Sequence, residues 1–222
     1  MNTKEYYIYD IFEAIRQYSD DADISYEYIS YLIDNNRALL LRQKYKEIGQ
    51  IIPQGIRQRL HFELELADDN VFSSEDSILR TVRVLPRLIE SGDFMRALHI
   101  DGGSYNQYKF IYIQPERFNY CGNNYDLPNV VYVTLGQDYK LYFKSLQLAH
   151  RLIENVRIWG IFENPEAAWI ASADYDNTKS FDKDIYYPID ADMWVIMKEV
   201  ILKQLVASLQ IPEDKINNAD EQ

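Results

Sequence analysis

The sequence predicts an α+β fold in which N- and C-terminal helices pack as a helical lobe, with a central antiparallel β-lobe. Three observations predict it. Apolar residues recur at helical spacing near both ends, with Ile8, Ile11, Phe12 and Ile15 forming one stripe and Met193, Met197, Val200, Ile201 and Leu205 the other. In the middle the pattern switches to strict alternation, Leu60, Phe62, Leu64 and Leu66 against Arg59, His61, Glu63 and Glu65. Helical and strand patterns are thus segregated along the chain instead of alternating, which favours α+β over a parallel α/β arrangement.

Residues 4–18 carry the first helical stripe, and S-D-D-A-D at 19–23 breaks it. Ser25 is placed to cap a second helix reaching about Lys46, with Ile29, Leu32, Ile33 and Leu40 on one side. Its middle, Asp34, Asn35, Asn36 and Arg37, is polar all round, a pattern that ordinarily faces solvent. The neighbouring leucines make the helix apolar on more than one side, so the alternative is a subunit interface built from Asn35, Asn36, Arg37, Leu39 and Leu41. A turn containing Pro53 leads into the alternating strand at 59–66. A polar loop over 68–76 precedes a further strand over 78–85, which Pro86 ends. Residues 95–100 and 108–113 flank Gly102-Gly103, and 130–135 and 139–143 flank a shorter loop, so two hairpins are expected. Residues 146–153 suit a strand or a helical turn equally.

The junction at 156–168, V-R-I-W-G-I-F-E-N-P-E-A-A, hands a strand over to a helix. Gly160 inside the strand marks a bulge or a close backbone approach. Asn164 is a cap and Pro165 suits the first helical position, with Glu166 near the positive helix N-terminus. An acidic exposed loop is expected over 174–184, and Asp190 then opens the last helix. The boundaries that follow are a helical pair at 1–57, the β-lobe at 58–163, helices completing the helical lobe at 164–211, and a flexible polar tail at 212–222.

Bulk properties narrow the function. At 222 residues the chain suits one domain or two unequal lobes, and a single cysteine, Cys121, excludes an internal disulfide and points to a reducing compartment. No leader peptide or membrane-spanning run is present in the pattern, so a soluble protein made in the cytoplasm is expected, with no membrane partner. A net charge of −12, from 35 acidic and 23 basic residues, disfavours tight binding to duplex nucleic acid. Arg80, Arg83 and Arg87 are the nearest approach to a basic patch, and their spacing fits a solvated strand face better than a phosphate site. The 19 tyrosines suit a surface that must be both apolar and wet, as protein interfaces are.

Candidate chemistry is sparse. His61, His99 and His150 lie far apart on different elements, without ligand spacing, so no metal site is expected. Asp174, Asp176, Thr178, Ser180 and Asp182 imitate alternating calcium ligands, but Lys179 stands where such a loop needs glycine and Ile185 where it needs glutamate. Glu63 and Glu65 share a strand face about 6–7 Å apart, a spacing that in a cleft does acid–base work and elsewhere is simply the wet face. Cys121 lies in a turn-rich segment with no histidine nearby. No phosphate-binding glycine loop or nucleophile elbow occurs. No catalytic residue, no cofactor and no metal are therefore expected.

The G-I-F-E-N-P core of the junction, Y-Y-P-I-D at 186–190, P-E-D-K-I-N-N-A-D at 212–220 and Y-L-I-D-N-N-R-A-L-L-L-R-Q at 31–43 resemble the ring proteins of crAss-like bacteriophages. Those belong with the head-to-tail adaptor and tail-tubular proteins of short-tailed phages. The resemblance implies a non-enzymatic virion protein at the head–tail junction. It would form a ring, usually a dodecamer, that contacts the portal protein and neighbouring tail ring or hub proteins, with DNA only as passing cargo. A DNA conduit should repel its cargo, so Asp174, Asp176, Asp182 and Asp184 are the expected channel-lining acids. The competing readings are a non-catalytic protein-interaction module and a small-molecule enzyme with a site built from scattered residues.

Overall fold

The periodicity at both chain ends becomes helix in the structure, a computed structural model that describes residues 2–16, 24–44, 53–67, 78–89, 98–101, 108–121, 129–145 and 153–209. Two compact units divide the chain, Met1–Gln43 with Lys179–Gln222, and Lys44–Thr178. The turn at Gly102-Gly103, residues 146–152 with His150, and the tail at 212–222 lie outside the described residues.

The first unit is helical. Helix α1 (Lys4–Arg16) buries Tyr7, Ile8, Ile11 and Ile15, while Phe12 is only half-buried. Helix α2 (Tyr26–Lys44) begins as expected, with the Ser25 hydroxyl accepting the Tyr28 N–H at 3.2 Å. Ile29, Leu32 and Ile33 are buried, and Leu41 takes the deep position instead of Leu40. The last helix of this unit, Ala191–Leu209, buries Met193, Trp194, Met197, Ile201 and Leu205. Part of the expected acidic loop is instead a short helix, Phe181–Asp184, because the Phe181 ring is buried and anchors the segment from within.

The second unit is a curled seven-stranded sheet with spatial order β3-β7-β1-β2-β6-β5-β4. Its strands are β1 (Gln58–Leu66), β2 (Leu79–Thr81), β3 (Leu98–Asp101), β4 (Lys109–Tyr112), β5 (Val130–Leu135), β6 (Leu141–Lys144) and β7 (Asn155–Gly160). In β1 the alternation holds for Leu60 and Phe62, which are buried, and fades to an exposed Leu66 at the strand end. Leu60, Phe62, Val131, Val133, Phe143, Val156, Ile158 and Phe162 make one core, on which Ile100 of β3 and Phe110 of β4 both pack.

The α+β class stands, with three differences of detail. Of the two expected hairpins, β5–β6 forms, with Leu135 opposite Leu141. Strand β3 does not pair with β4: it lies antiparallel on β7, and β4 runs parallel to β5, so the sheet is mixed. A parallel neighbour requires a crossover, and its described part includes the short helix α3 (Pro115–Phe118), whose Phe118 is fully buried. The strand expected over 78–85 stops at Thr81, because the chain bends at Val82 and Arg83 to bring Leu88 against Phe162.

The junction is as expected. Gly160 closes β7, Asn164 accepts the Ala167 N–H at 3.0 Å, and Pro165 opens helix α4 (Pro165–Ala171). We number Phe181–Asp184 as α5 and Ala191–Leu209 as α6.

Candidate assembly surfaces

The polar middle of α2 is split: Asn36 and Arg37 are buried, Asp34 is half-buried and only Asn35 is exposed. Arg37 is fully buried, its Nε donating to the Pro188 carbonyl at 2.8 Å and its guanidinium lying 5.7 Å from the centre of the Tyr187 ring. Asp34 accepts from Lys4 Nζ at 2.8 Å and from the Tyr187 hydroxyl at 2.8 Å. Asn36 Nδ2 donates to the Leu32 carbonyl at 2.8 Å and to Gln204 Oε1 at 3.2 Å, tying α2 to α6. Asp10 of α1 accepts from Trp194 Nε1 at 3.0 Å and from Lys198 Nζ at 2.8 Å. Every polar side chain of this stretch that enters the interior therefore arrives with a partner, as burial demands. Burial, and then the charge of Asp34, hold the Tyr187 phenol well above its ordinary value. Burial also pulls Arg37 below the usual arginine value, against the opposing effects of Tyr187 and Asp34.

This arrangement divides the five residues considered for a subunit interface. Asn36, Arg37 and Leu41 are interior, whereas Asn35 and Leu39 lie outside. They share that outside with Tyr28 and Tyr31, the latter 62% exposed. Residues 28, 31, 35 and 39 repeat at helical spacing, so they form one line along α2 about 16 Å long, opposite the buried side. A second such line runs along α6, where Val195 (59% exposed) and Ile196 (53%) sit between exposed Asp192, Glu199 and Lys203. Each helix is thus apolar on its packed side and carries exposed apolar side chains among polar ones on its outer side. Sequence reasoning named part of the α2 line and missed Tyr28, Tyr31, Val195 and Ile196. The available signal was angular: Val195 falls on the opposite side of the helix from Met193 and Met197, and Ile196 falls on the flank between them.

The four acidic residues expected in a channel lie in different local settings. In the β unit, Asp174 pairs with His61 Nδ1, and Asp176 closes a turn by accepting the Thr178 N–H at 3.0 Å. In the helical unit, Asp182 accepts from the Tyr26 hydroxyl at 3.2 Å and lies 4.0 Å from Lys4 Nζ. Asp184 accepts the Ser180 N–H at 2.8 Å. Burial and Asp182 together raise the Tyr26 phenol strongly.

The remaining candidates serve the fold. Arg80 pairs with Glu65 at 2.8 Å, Arg83 donates to the carbonyls of Ile170 and Ser172, and Arg87 lies 3.8 Å from Glu163. The phosphate-site reading of these arginines accordingly loses its basis. Glu65 also meets Lys140 at 3.5 Å, so the Glu63–Glu65 face is an ion-paired sheet surface. Among the described residues no group of three or more His, Cys, Asp or Glu side chains is placed to hold a metal, and no helix is long and apolar enough to cross a membrane.

Comparison with known proteins gives two concordant findings. The sequence model of the family described as Phage tail ring protein 2 matches residues 7–222. The chain is also similar to Ring protein 2 of Bacteroides phage crAss001, with 29% identity over 217 residues, covering 96% of this chain and 94% of the relative.

Proposed function

Because the chain belongs to the Phage tail ring protein 2 family, we propose that it is a structural subunit of a connector ring joining the portal to the tail of a tailed phage. The ring is a conduit through which DNA is retained after packaging and later ejected. Its partners are further copies of the chain, the portal protein, and the ring or hub proteins that follow in the tail. With the symmetry of a portal the ring is a dodecamer, located at the head–tail junction of the virion, and its role involves no catalytic step.

One structural observation supports this reading above the others: the helical unit has two separate outer helix faces that its own core leaves uncovered, one on α2 and one on α6. A monomer has no use for two such faces, whereas a cyclic assembly needs two different patches per subunit. The net charge of −12 is consistent with a conduit for DNA, since an acidic wall repels phosphates instead of holding them. We assign the channel lining to acidic side chains, among them Asp174 and Asp176 of the one unit and Asp182 and Asp184 of the other.

The test is stoichiometry. Quantitative mass spectrometry of purified particles should find this chain in a ratio near one to the portal protein. Absence from particles, or a few copies per virion, would overturn the connector reading.

A further inference from the structure

We propose that the outer faces of α2 and α6 are the two halves of one contact, the α2 face of one copy packing antiparallel on the α6 face of the next. The identity of the occupant, a second copy, rests on the ring reading above, and the faces and their register come from the structure.

The α2 face consists of Tyr28, Tyr31, Asn35, Leu39 and Arg42, and the α6 face of Asp192, Val195, Glu199, Lys203 and Val206. All are exposed or half-buried. Along each helix the steps between these residues are three, four, four and three. That series reads the same in both directions, so the lines can be superposed parallel or antiparallel, and chemistry must choose between them.

Antiparallel superposition sets Arg42 against Asp192, Leu39 against Val195, Asn35 against Glu199, Tyr31 against Lys203 and Tyr28 against Val206. Opposite charges meet at one end. An apolar pair follows, then an amide donor faces a carboxylate, an ammonium faces a tyrosine ring, and a second ring covers valine. Parallel superposition instead sets Lys203 on Leu39 and Arg42 on Val206, two cations on aliphatic groups, and leaves Asp192 without a cation. The antiparallel register therefore gives both cations a carboxylate or a ring to face, and the parallel one gives neither. The balance along the two lines agrees: the α2 line carries hydrogen-bond donors and no carboxylate, and the α6 line carries two carboxylates.

The contact is also open-ended in the sense a ring requires. The two lines lie on different helices, so a copy engaged through α2 retains its α6 face for the next copy, and repetition continues until rotation closes the ring.

Cysteine pairs test the register directly. In a full-length chain with Cys121→Ser, the double substitution Leu39→Cys with Val195→Cys is introduced and particles are purified, oxidised and analysed on non-reducing gels. A ladder of the chain rising past the trimer is expected, and neither single-cysteine variant should pass the dimer. Asn35→Cys with Glu199→Cys should behave in the same way, giving a second reading if one pair disturbs folding. Three outcomes overturn the proposal: particles with the full copy number and no ladder from either pair, ladders that stop at the dimer, or cross-links joining the chain to a different virion protein. Failure of the ring reading is separately visible, as a missing or low copy number of the unsubstituted chain.

Discussion

Replacing Gly160 by alanine should destabilise the β unit, and the size of the effect follows from the packing. Gly160 lies opposite Gln58 of β1 and Leu98 of β3. A methyl group on its Cα would come within 2.6 Å of Phe162 Cζ, 2.9 Å of Phe162 Cε2 and 3.2 Å of Leu88 Cδ2. Phe162 is fully buried in the main core and bridges to Leu88, so its ring has no space into which to retreat. Overpacking of this kind costs about 1–3 kcal/mol. The reduced freedom of the unfolded chain returns about 0.4–1 kcal/mol, leaving a net loss of about 1.3 kcal/mol at mid-range. At this chain length that corresponds to a fall in Tm of about 3–5 °C. Calorimetry with a matching urea titration is the assay. A Phe162→Leu background should reduce the cost of the alanine, because the obstructing ring is gone and the two sites are in contact. An unchanged midpoint, or a cost undiminished in that background, would refute the ring contact as the reason for glycine.

Two further outcomes are expected. Asn164→Ala should cost about 1 kcal/mol by removing the cap of α4, and Asn164→Asp, which keeps an acceptor, should recover most of it, as a thermal melt would show. Tyr187→Phe should flatten the loss of stability at alkaline pH. Above about pH 10 the unfolded chain releases its phenolic protons while buried Tyr187 retains its own, so stability falls as pH rises, by up to about 1.4 kcal/mol per pH unit for this group. The fall continues until the raised folded value is reached. Tyr7, Tyr26, Tyr112 and Tyr142 are raised as well, so the variant should keep a shallower slope in its urea midpoint between about pH 9.5 and 11. An identical slope would count against a buried, protonated phenol.

Local rules made much of this fold legible. The starts of α2 and α4 follow from Ser25, Asn164 and Pro165, whose capping and φ preferences act within one turn of chain. The β5–β6 hairpin was legible for the same reason, since a short loop leaves its flanking strands little choice of partner. The partners of β3 and β4 were not, because pairing β3 with β7 joins residues some sixty positions apart, and no local pattern encodes that choice. Nor was the interior position of Asn36 and Arg37. Periodicity classifies side chains as apolar or polar, and these two satisfy burial through a distant carbonyl and a distant amide, Pro188 and Gln204. The candidate surface was half legible: Leu39 was found as an extra apolar residue, while Tyr28 and Tyr31 are amphipathic and raise no conflict when exposed.

The buried polar network bears on assembly through orientation. A helix apolar on two sides has two ways to face its neighbours, and hydrophobic burial alone discriminates weakly between them, being non-directional. In α2 the choice is made by hydrogen bonds. Turning the Tyr28–Leu39 line inward would pull Arg37 away from the Pro188 carbonyl, Asp34 away from Lys4 and Tyr187, and Asn36 away from Gln204. The buried partners left behind, Lys4, Tyr187 and the Pro188 carbonyl, would be stranded, at about 1–3 kcal/mol for a neutral group and more for a charged one. On α6, Trp194 and Lys198 hold the same setting through Asp10. The interior of the helical unit thus determines which apolar lines remain outside, and a subunit whose outer faces are set before it meets its neighbours needs no rearrangement to join a ring.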